Sequence, residues 1–133
     1  MDRKEKKQGE NSDYKILIVE DNMINQLLLK TILENEKFYV EVADDGLIGL
    51  EKVKKIDFDL ILMDLMMPNM DGLEATKAIR ELVGEKSKIP IIAVTADVTI
   101  DVQQRCKDVG MNYYLSKPIN RDDLLNSIAT LIN

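Results

Sequence analysis

The segment LILMDLMMPNMDG (60–72) decides how this chain of 133 residues is expected to fold. Four apolar residues lead directly into an aspartate, Asp64, and a loop that contains proline and glycine follows. An apolar run without polar alternation is typical of a strand that is covered on both faces, as in a parallel sheet. The segment therefore predicts a buried strand that ends in a carboxylate.

Other short runs along the chain repeat this pattern. The further predicted strands are KILIV (15–19), FYVEVA (38–43), IIAV (91–94) and YYL (113–115). Apolar residues recur at helical spacing between several of these strands and after the last one. The three clearest stripes are Ile24, Leu27, Leu28 and Ile32; Leu73, Thr76, Ile79 and Leu82; and Leu124, Leu125, Ile128, Ala129 and Ile132.

Alternating strands and helices predict the fold class and the domain limits. Five strands alternating with five helices favour a doubly wound α/β domain over residues 14–133, after a flexible tail or linker over residues 1–13. Gly110 is predicted to end the helix before YYL, and Asn120 to cap the last helix.

Composition excludes several classes of function. The net charge is -6, and the first thirteen residues are neutral overall, so the acidic excess lies in the domain and argues against nucleic acid as a partner. No apolar run is long enough to span a membrane, and the N-terminal residues lack the apolar segment of a secretory signal. The one cysteine, Cys106, is expected to be a small helix residue and favours a cytoplasmic location. The absence of histidine excludes serine–histidine and cysteine–histidine catalysis and makes a zinc site improbable.

Polar residues stand where four of the predicted strands end. These residues are Glu20, Asp21, Asp64, Thr95 and Lys117. The carboxyl ends of parallel strands share one edge, so these groups should converge. Crowded carboxylates repel one another, and Mg²⁺, which prefers oxygen ligands, would relieve that repulsion. With the lysine and the threonine, the ion would make a receptor for a phosphoryl group, and Asp64 could be the nucleophile.

Four motifs give this convergence a family resemblance. They are VED (19–21), MDLMMPNMDG (63–72), TA (95–96) and YLSKP (114–118). In order and spacing they resemble a receiver domain of a two-component response regulator, and the resemblance covers about residues 14–133. It implies a flavodoxin-like sheet with strand order 2-1-3-4-5. VEDNMINQ (19–26) further resembles the receivers of hybrid sensor histidine kinases. Since the sequence contains no kinase domain, the receiver is expected either to stand alone or to be a piece of a longer chain.

The resemblance also implies roles for residues around the acceptor. Asp64 resembles the phosphoacceptor and, with Asp21, a direct Mg²⁺ ligand. Glu20 would act on the ion mainly through water, and Met66 would offer its backbone carbonyl. The phosphoryl donor would be a phosphohistidine on a histidine kinase or a histidine phosphotransfer domain. The domain would catalyse only its own phosphorylation and dephosphorylation.

A second group of residues is implied to transmit the signal. Thr95 resembles the switch hydroxyl, Lys117 the phosphate-binding lysine, and Tyr114 the switch aromatic; Lys117–Pro118 resembles the family's cis peptide. Phosphorylation is expected to change the surface formed by the last strand, YYL (113–115), and the last two helices, which precede and follow it, and through this surface the domain could self-associate. Tyr113 is expected on the opposite face of the strand from Tyr114.

Two alternatives remain open from the residues. A Mg²⁺-dependent phosphohydrolase that forms an aspartyl phosphate would use similar groups, although Met66 stands where a second acid would serve as general acid. A receiver-like scaffold without phosphorylation is disfavoured because no acceptor residue is missing. The methionines at 63, 66, 67 and 70 are expected to serve packing and turns, because a hard cation does not favour sulfur.

Overall fold

A computed structural model describes residues 13–132. The strands are β1 (Lys15–Val19), β2 (Tyr39–Ala43), β3 (Leu60–Asp64), β4 (Ile91–Thr95) and β5 (Tyr113–Ser116). The helices are α1 (Met23–Asn35), α2 (Gly46–Lys55), α3 (Gly72–Arg80), α4 (Ile100–Asp108) and α5 (Arg121–Ile132), with a short 3-10 helix (Gly84–Lys88) before β4. The predicted tail over residues 1–13 lies, apart from Asp13, outside the described residues.

The five strands form one parallel sheet in the order β2-β1-β3-β4-β5. β3 lies at the centre, where it pairs with β1 on one side and with β4 on the other. The predicted fold class and the implied strand order are therefore confirmed, and Asp64 is the last residue of the central strand.

Both faces of the sheet are covered by apolar side chains. Successive strand residues point to opposite faces, so Ile61 and Met63 of β3 pack in one core cluster while Leu60 and Leu62 pack in the other. All five residues of β3 are buried. This double burial explains why the strand sequence shows no polar alternation.

The predicted apolar stripe of α1 is largely wrong. Ile24, Leu27 and Leu28 are 77%, 66% and 45% exposed, and of the predicted residues only Ile32 is buried. The side that packs on the sheet carries Leu29 and Leu33 with Ile32. Because apolar residues occupy two sides of this helix, helical spacing alone did not identify the buried one.

The other helices agree better with the sequence. Gly110 ends α4 with a φ of 97°, and the peptide N–H groups of Gly110 and Met111 donate back to the last turn of the helix. The side chain of Asn120 accepts from the N–H of Asp123 at the start of α5, as expected of a cap. Cys106 is buried in α4, as predicted.

Two apolar positions of the predicted stripes do not lie as expected. Leu82 lies beyond the end of α3, and Ala129 of α5 is exposed. Among the described residues, no helix has the length and apolar character needed to cross a membrane.

Candidate functional site

The polar residues at the strand ends meet in one pocket of about 400 Å³. Asp64 and Thr95 are the last residues of β3 and β4, while Glu20, Asp21 and Lys117 follow β1 and β5 directly. Parallel strands in register bring their carboxyl ends to the same edge, which explains the convergence. The structure thus brings together five residues that the sequence singled out.

Three carboxylates of this pocket lie close enough to share a cation. One oxygen from each of Glu20, Asp21 and Asp64 lies within 4.8 Å of the others. Glu20 and Asp64 are buried, and Asp21 is exposed. The Oε1 atom of Glu20 is buried, and its partner among the described residues is the Lys117 ammonium, 3.1 Å away. A set of three carboxylate oxygens this close together fits Mg²⁺, a hard ion that prefers oxygen ligands and keeps several waters.

Lys117 extends its ammonium group into this acidic cluster. Its Nζ lies 3.1 Å from Glu20 Oε1 and 3.3 Å from Asp64 Oδ1. Burial lowers the pKa of Lys117, but the contacts with Glu20 and Asp64 outweigh that effect and raise the pKa above its ordinary value. The lysine is therefore a charged partner of the acids throughout the physiological pH range. The peptide bond that follows it, Lys117–Pro118, is cis.

The hydroxyl of Thr95 is engaged with its own loop. It accepts a hydrogen bond from the Asp97 N–H at 3.0 Å and donates to the Asp97 carbonyl at 3.2 Å. Thr95 is buried and lines the acceptor pocket. The hydroxyl lies beside the site without a bond to Asp64.

The two tyrosines of β5 lie against each other. The rings of Tyr113 and Tyr114 stack with centroids 5.8 Å apart, and both line a second pocket of about 420 Å³ between α4 and β5. Tyr114 is half-buried against the core, while Tyr113 is exposed. The two rings therefore meet at the edge of the sheet, although strand alternation predicts opposite faces for the two residues.

The loop after β3 is held close to Asp64. The Met66 N–H donates a long hydrogen bond of 3.4 Å to Asp64 Oδ1, and the Gly72 N–H donates to the Leu65 carbonyl. A Cβ on Gly72 would lie 2.2 Å from the Asp64 carbonyl oxygen. Close backbone approach, rather than a turn that needs positive φ, is thus what requires glycine at this position.

Sequence reasoning missed two features around the site. Asp71 and Glu74 form a complete capping box at the start of α3, each accepting from the other's backbone N–H. The acid pair three positions apart was a readable signal. Asn22, which caps α1, and Asn25 in the first turn of that helix line the acceptor pocket, although only the motif around them was recognised.

Comparison with known proteins identifies the class. The family model described as response regulator receiver domain matches residues 16–129. The chain is 44% identical to hybrid signal transduction histidine kinase B of Dictyostelium discoideum over 84% of its length, and it spans about 6% of that kinase. The chain therefore belongs to the receiver domain family of two-component signalling. Within it, the chain is similar to the receivers of hybrid histidine kinases.

Solved structures agree with this assignment. The receiver domain of sensor histidine kinase PA1611 from Pseudomonas aeruginosa, solved with magnesium in its active site cleft, is 35% identical with a TM-score of 0.82 and covers 90% of this chain and 97% of that one. The receiver of Ssk1 from Saccharomyces cerevisiae, solved with the histidine phosphotransfer protein Ypd1, is 31% identical with a TM-score of 0.84 and covers 90% and 88% of the two chains.

Proposed function

We propose that this receiver is a phosphorylation switch whose acceptor is Asp64. The observation that carries the proposal is the buried carboxylate at the end of the central strand, 3.3 Å from the Lys117 ammonium and next to two further acids. A nucleophile placed on a rigid strand beside a fixed positive charge suits in-line attack on a phosphoryl group.

Transfer of the phosphoryl group to Asp64 needs no general acid or base from this chain. A carboxylate oxygen of Asp64 attacks the phosphorus of a phosphohistidine, an O–P bond forms and the N–P bond breaks. The imidazole of the donor leaves with the bonding electrons and takes a proton from solvent. Lys117 neutralises the phosphoryl oxygens, and Thr95 can donate a hydrogen bond to one of them.

Mg²⁺ fits the acid cluster of this site. Glu20, Asp21 and Asp64 would hold it with the Met66 carbonyl, Glu20 mainly through water. When bound, the ion neutralises charge on the phosphoryl oxygens and orients them. Asp21 is the exposed member of the acid set, so it can reach the ion with little loss of burial.

Labelling with acetyl phosphate tests the acceptor and the metal residues. Mass spectrometry should find one added phosphoryl group in the wild type, none in Asp64→Asn, and a strong loss in Asp21→Ala at limiting Mg²⁺. Asp101→Asn, an exposed position on α4, is the matched control and should label normally. A second site with equal occupancy would contradict the assignment of Asp64.

We further propose that the phosphohistidine partner docks on the exposed apolar side of α1. Met23, Ile24 and Leu27 are 81%, 77% and 66% exposed, and they lie on the helix whose first turn lines the acceptor pocket. Exposed apolar groups in one patch mark an interaction surface. A donor bound there would present its histidine to Asp64.

The docking proposal can be separated from the chemistry. Leu27→Asp should slow phosphotransfer from phosphorylated Ypd1, the protein bound to Ssk1 in the solved complex, and leave labelling by acetyl phosphate unchanged. Val83→Asp makes the same charge change at a position that is 95% exposed and lies after α3. If both variants accept the phosphoryl group from Ypd1 as fast as the wild type, docking on α1 is refuted.

Output is proposed to pass through the surface of α4, β5 and α5, with self-association as one consequence. Size-exclusion chromatography with light scattering, with and without acetyl phosphate, tests this association. Autodephosphorylation would limit the lifetime of the signal. Turnover of a generic phosphate ester would instead support the phosphohydrolase alternative, which the family match disfavours. The cytoplasmic location stays a prediction.

A further inference from the structure

The turn between β2 and α2 is linked by hydrogen bonds to both parts of the acidic site. One part is the β1–α1 loop, and the other is the loop after Asp64. On one side, the Gln26 carboxamide of α1 donates to Asp44 Oδ1 at 2.8 Å and to the Glu20 carbonyl oxygen at 2.5 Å. Gln26 therefore links the β1–α1 loop, which carries Glu20 and Asp21, to the turn at Asp44.

On the other side, the same turn is bonded to the loop after Asp64. Asp45 caps α2 by accepting from the Ile48 N–H at 2.9 Å, and its other oxygen accepts from Asn69 Nδ2 at 2.7 Å. The Gly46 N–H donates to the Met70 carbonyl at 3.1 Å.

The backbone contact at Gly46 leaves no room for adjustment. A Cβ at this position would lie 2.3 Å from the Met70 oxygen, a distance that backbone atoms do not tolerate. Asn69, on the facing loop, has a φ of 66°, a conformation that Asn and Asp adopt more readily than most residues. The two segments are therefore fixed relative to each other by side-chain and main-chain bonds together.

Asp44, Asp45 and Gly46 are not among the described residues that line the acceptor pocket. The turn nevertheless spans the gap between the acidic pair and the loop after β3. Mg²⁺ requires short and nearly ideal ligand distances, so its affinity depends on the spacing of its carboxylates. Groups behind the ligands commonly control metal affinity through that spacing.

We propose that the β2–α2 turn sets the distance between the Glu20–Asp21 pair and Asp64, with Gln26, Asp45 and Asn69 as positioning residues for the cation. This inference rests on the proposed Mg²⁺ site. It assigns a role to three side chains that neither bind the ion nor touch the phosphoryl group.

Exchanging Asp45 and Asn69 separates the effect of ligand spacing on Mg²⁺ affinity from the effect of charge. Asp45→Asn and Asn69→Asp each break the carboxylate–carboxamide pair, and the double variant restores it with the donor and acceptor reversed. The double variant keeps the net charge, and the carboxamide oxygen introduced by Asp45→Asn can still cap α2. Asp and Asn both accept the backbone conformation at position 69.

The readout is the Kd for Mg²⁺ of the unphosphorylated protein, measured by titrating Mg²⁺ and following amide NMR shifts. Each single variant should raise the Kd by roughly tenfold, and the double variant should return it close to the wild-type value. Asn69→Asp is decisive, because an added negative charge alone would tighten binding. Tighter binding in this variant, or no recovery in the double variant, would overturn the proposal.

Gln26→Met tests the other side of the turn if a variant at the pair does not fold. It removes both donors but keeps the length of the side chain, and the Kd should rise. Gln104→Met is its control, since the Gln104 carboxamide donates to Asp108 on α4 in a similar way. An unchanged Kd in Gln26→Met, with the free energy of unfolding alone reduced, would show a purely structural role. Failure of the wild type itself to bind Mg²⁺ or accept a phosphoryl group would instead refute the proposed function.

Discussion

At the scale of single residues, Lys117 links the buried carboxylates of the acidic site. Its ammonium contacts both buried carboxylates, Glu20 and Asp64, which would otherwise repel each other. The same charge can turn to the phosphoryl oxygens after transfer. One side chain would thus stabilise both the site as it stands and the proposed phosphorylated product.

Met66 is predicted to slow loss of the phosphoryl group. Its side chain is 80% exposed and lines the pocket together with Asp97, so both flank the approach to Asp64. A thioether shields the phosphoryl group but cannot hold an attacking water by a strong hydrogen bond. Met66→Asn should position water and speed the decay several-fold; a tenfold change needs only about 1.4 kcal/mol in the barrier.

Decay of the phosphorylated protein after removal of the donor measures this effect, with Mg²⁺ in excess. Met67→Asn is the control, because Met67 lies next in the chain but is not among the described residues that line the acceptor pocket. If Met66→Asn decays at the wild-type rate or more slowly, the proposed shielding role of Met66 is wrong.

At the scale of the element, the capping box fixes where α3 begins after the Asp64 loop. Asp71→Ala should lower the free energy of unfolding by about 1 kcal/mol, because the side-chain acceptor for the Glu74 N–H at 2.8 Å is lost. Thr99→Ala removes a longer cap bond of 3.4 Å at the start of α4 and should cost less. Urea unfolding should show a larger loss of unfolding free energy in Asp71→Ala than in Thr99→Ala. An equal or smaller loss in Asp71→Ala would contradict this prediction.

The cap of α2 predicts a pH dependence of stability. Hydrogen bonds from the Ile48 N–H and the Asn69 side chain lower the pKa of Asp45 below its ordinary value of 3.8. A lowered pKa stabilises the fold above the ordinary pKa, and that contribution is lost as the pH falls through the lowered value. The difference in unfolding free energy between wild type and Asp45→Asn should therefore shrink on acidification between about pH 5 and pH 2. A constant difference over this range, measured by urea unfolding, would be inconsistent with a charged cap.

Elements also show what the sequence can and cannot predict. KILIV (15–19) was predicted with its observed limits because the four buried residues after the exposed Lys15 form an unbroken apolar run. The predicted buried side of α1 was wrong because Ile24 and Leu27 are exposed, and apolar character alone does not show which side of a helix packs on the sheet. The bond from Asn69 to Asp45 joins residues 24 positions apart, and no local pattern reports such a contact.

At the scale of the whole molecule, the parallel sheet is the device that assembles the site. The five site residues lie at the carboxyl ends of four strands, so the spacing of the strands sets the distances among the groups. The residues at the strand ends were therefore predictable from motifs. Their hydrogen bonds were not, because the Thr95 hydroxyl bonds to the backbone of Asp97, a contact that no motif reports.

Thr95 is predicted to couple the acceptor to the surface of α4 and β5. Its hydroxyl now bonds to the Asp97 backbone, at the loop that leads into α4. A phosphoryl group on Asp64 would offer a stronger, charged acceptor, and movement of the hydroxyl toward it would release the loop and open space for Tyr114.

Thr95→Ala should still accept a phosphoryl group from acetyl phosphate, because the nucleophile and Lys117 are intact. The amide NMR shifts of α4 and β5 on phosphorylation should be much smaller than in the wild type. Thr130→Ala, which removes a hydroxyl that donates to the Asn126 carbonyl within α5, is the control. Shifts of wild-type size in Thr95→Ala would show that the signal reaches this surface by a route that does not need the hydroxyl.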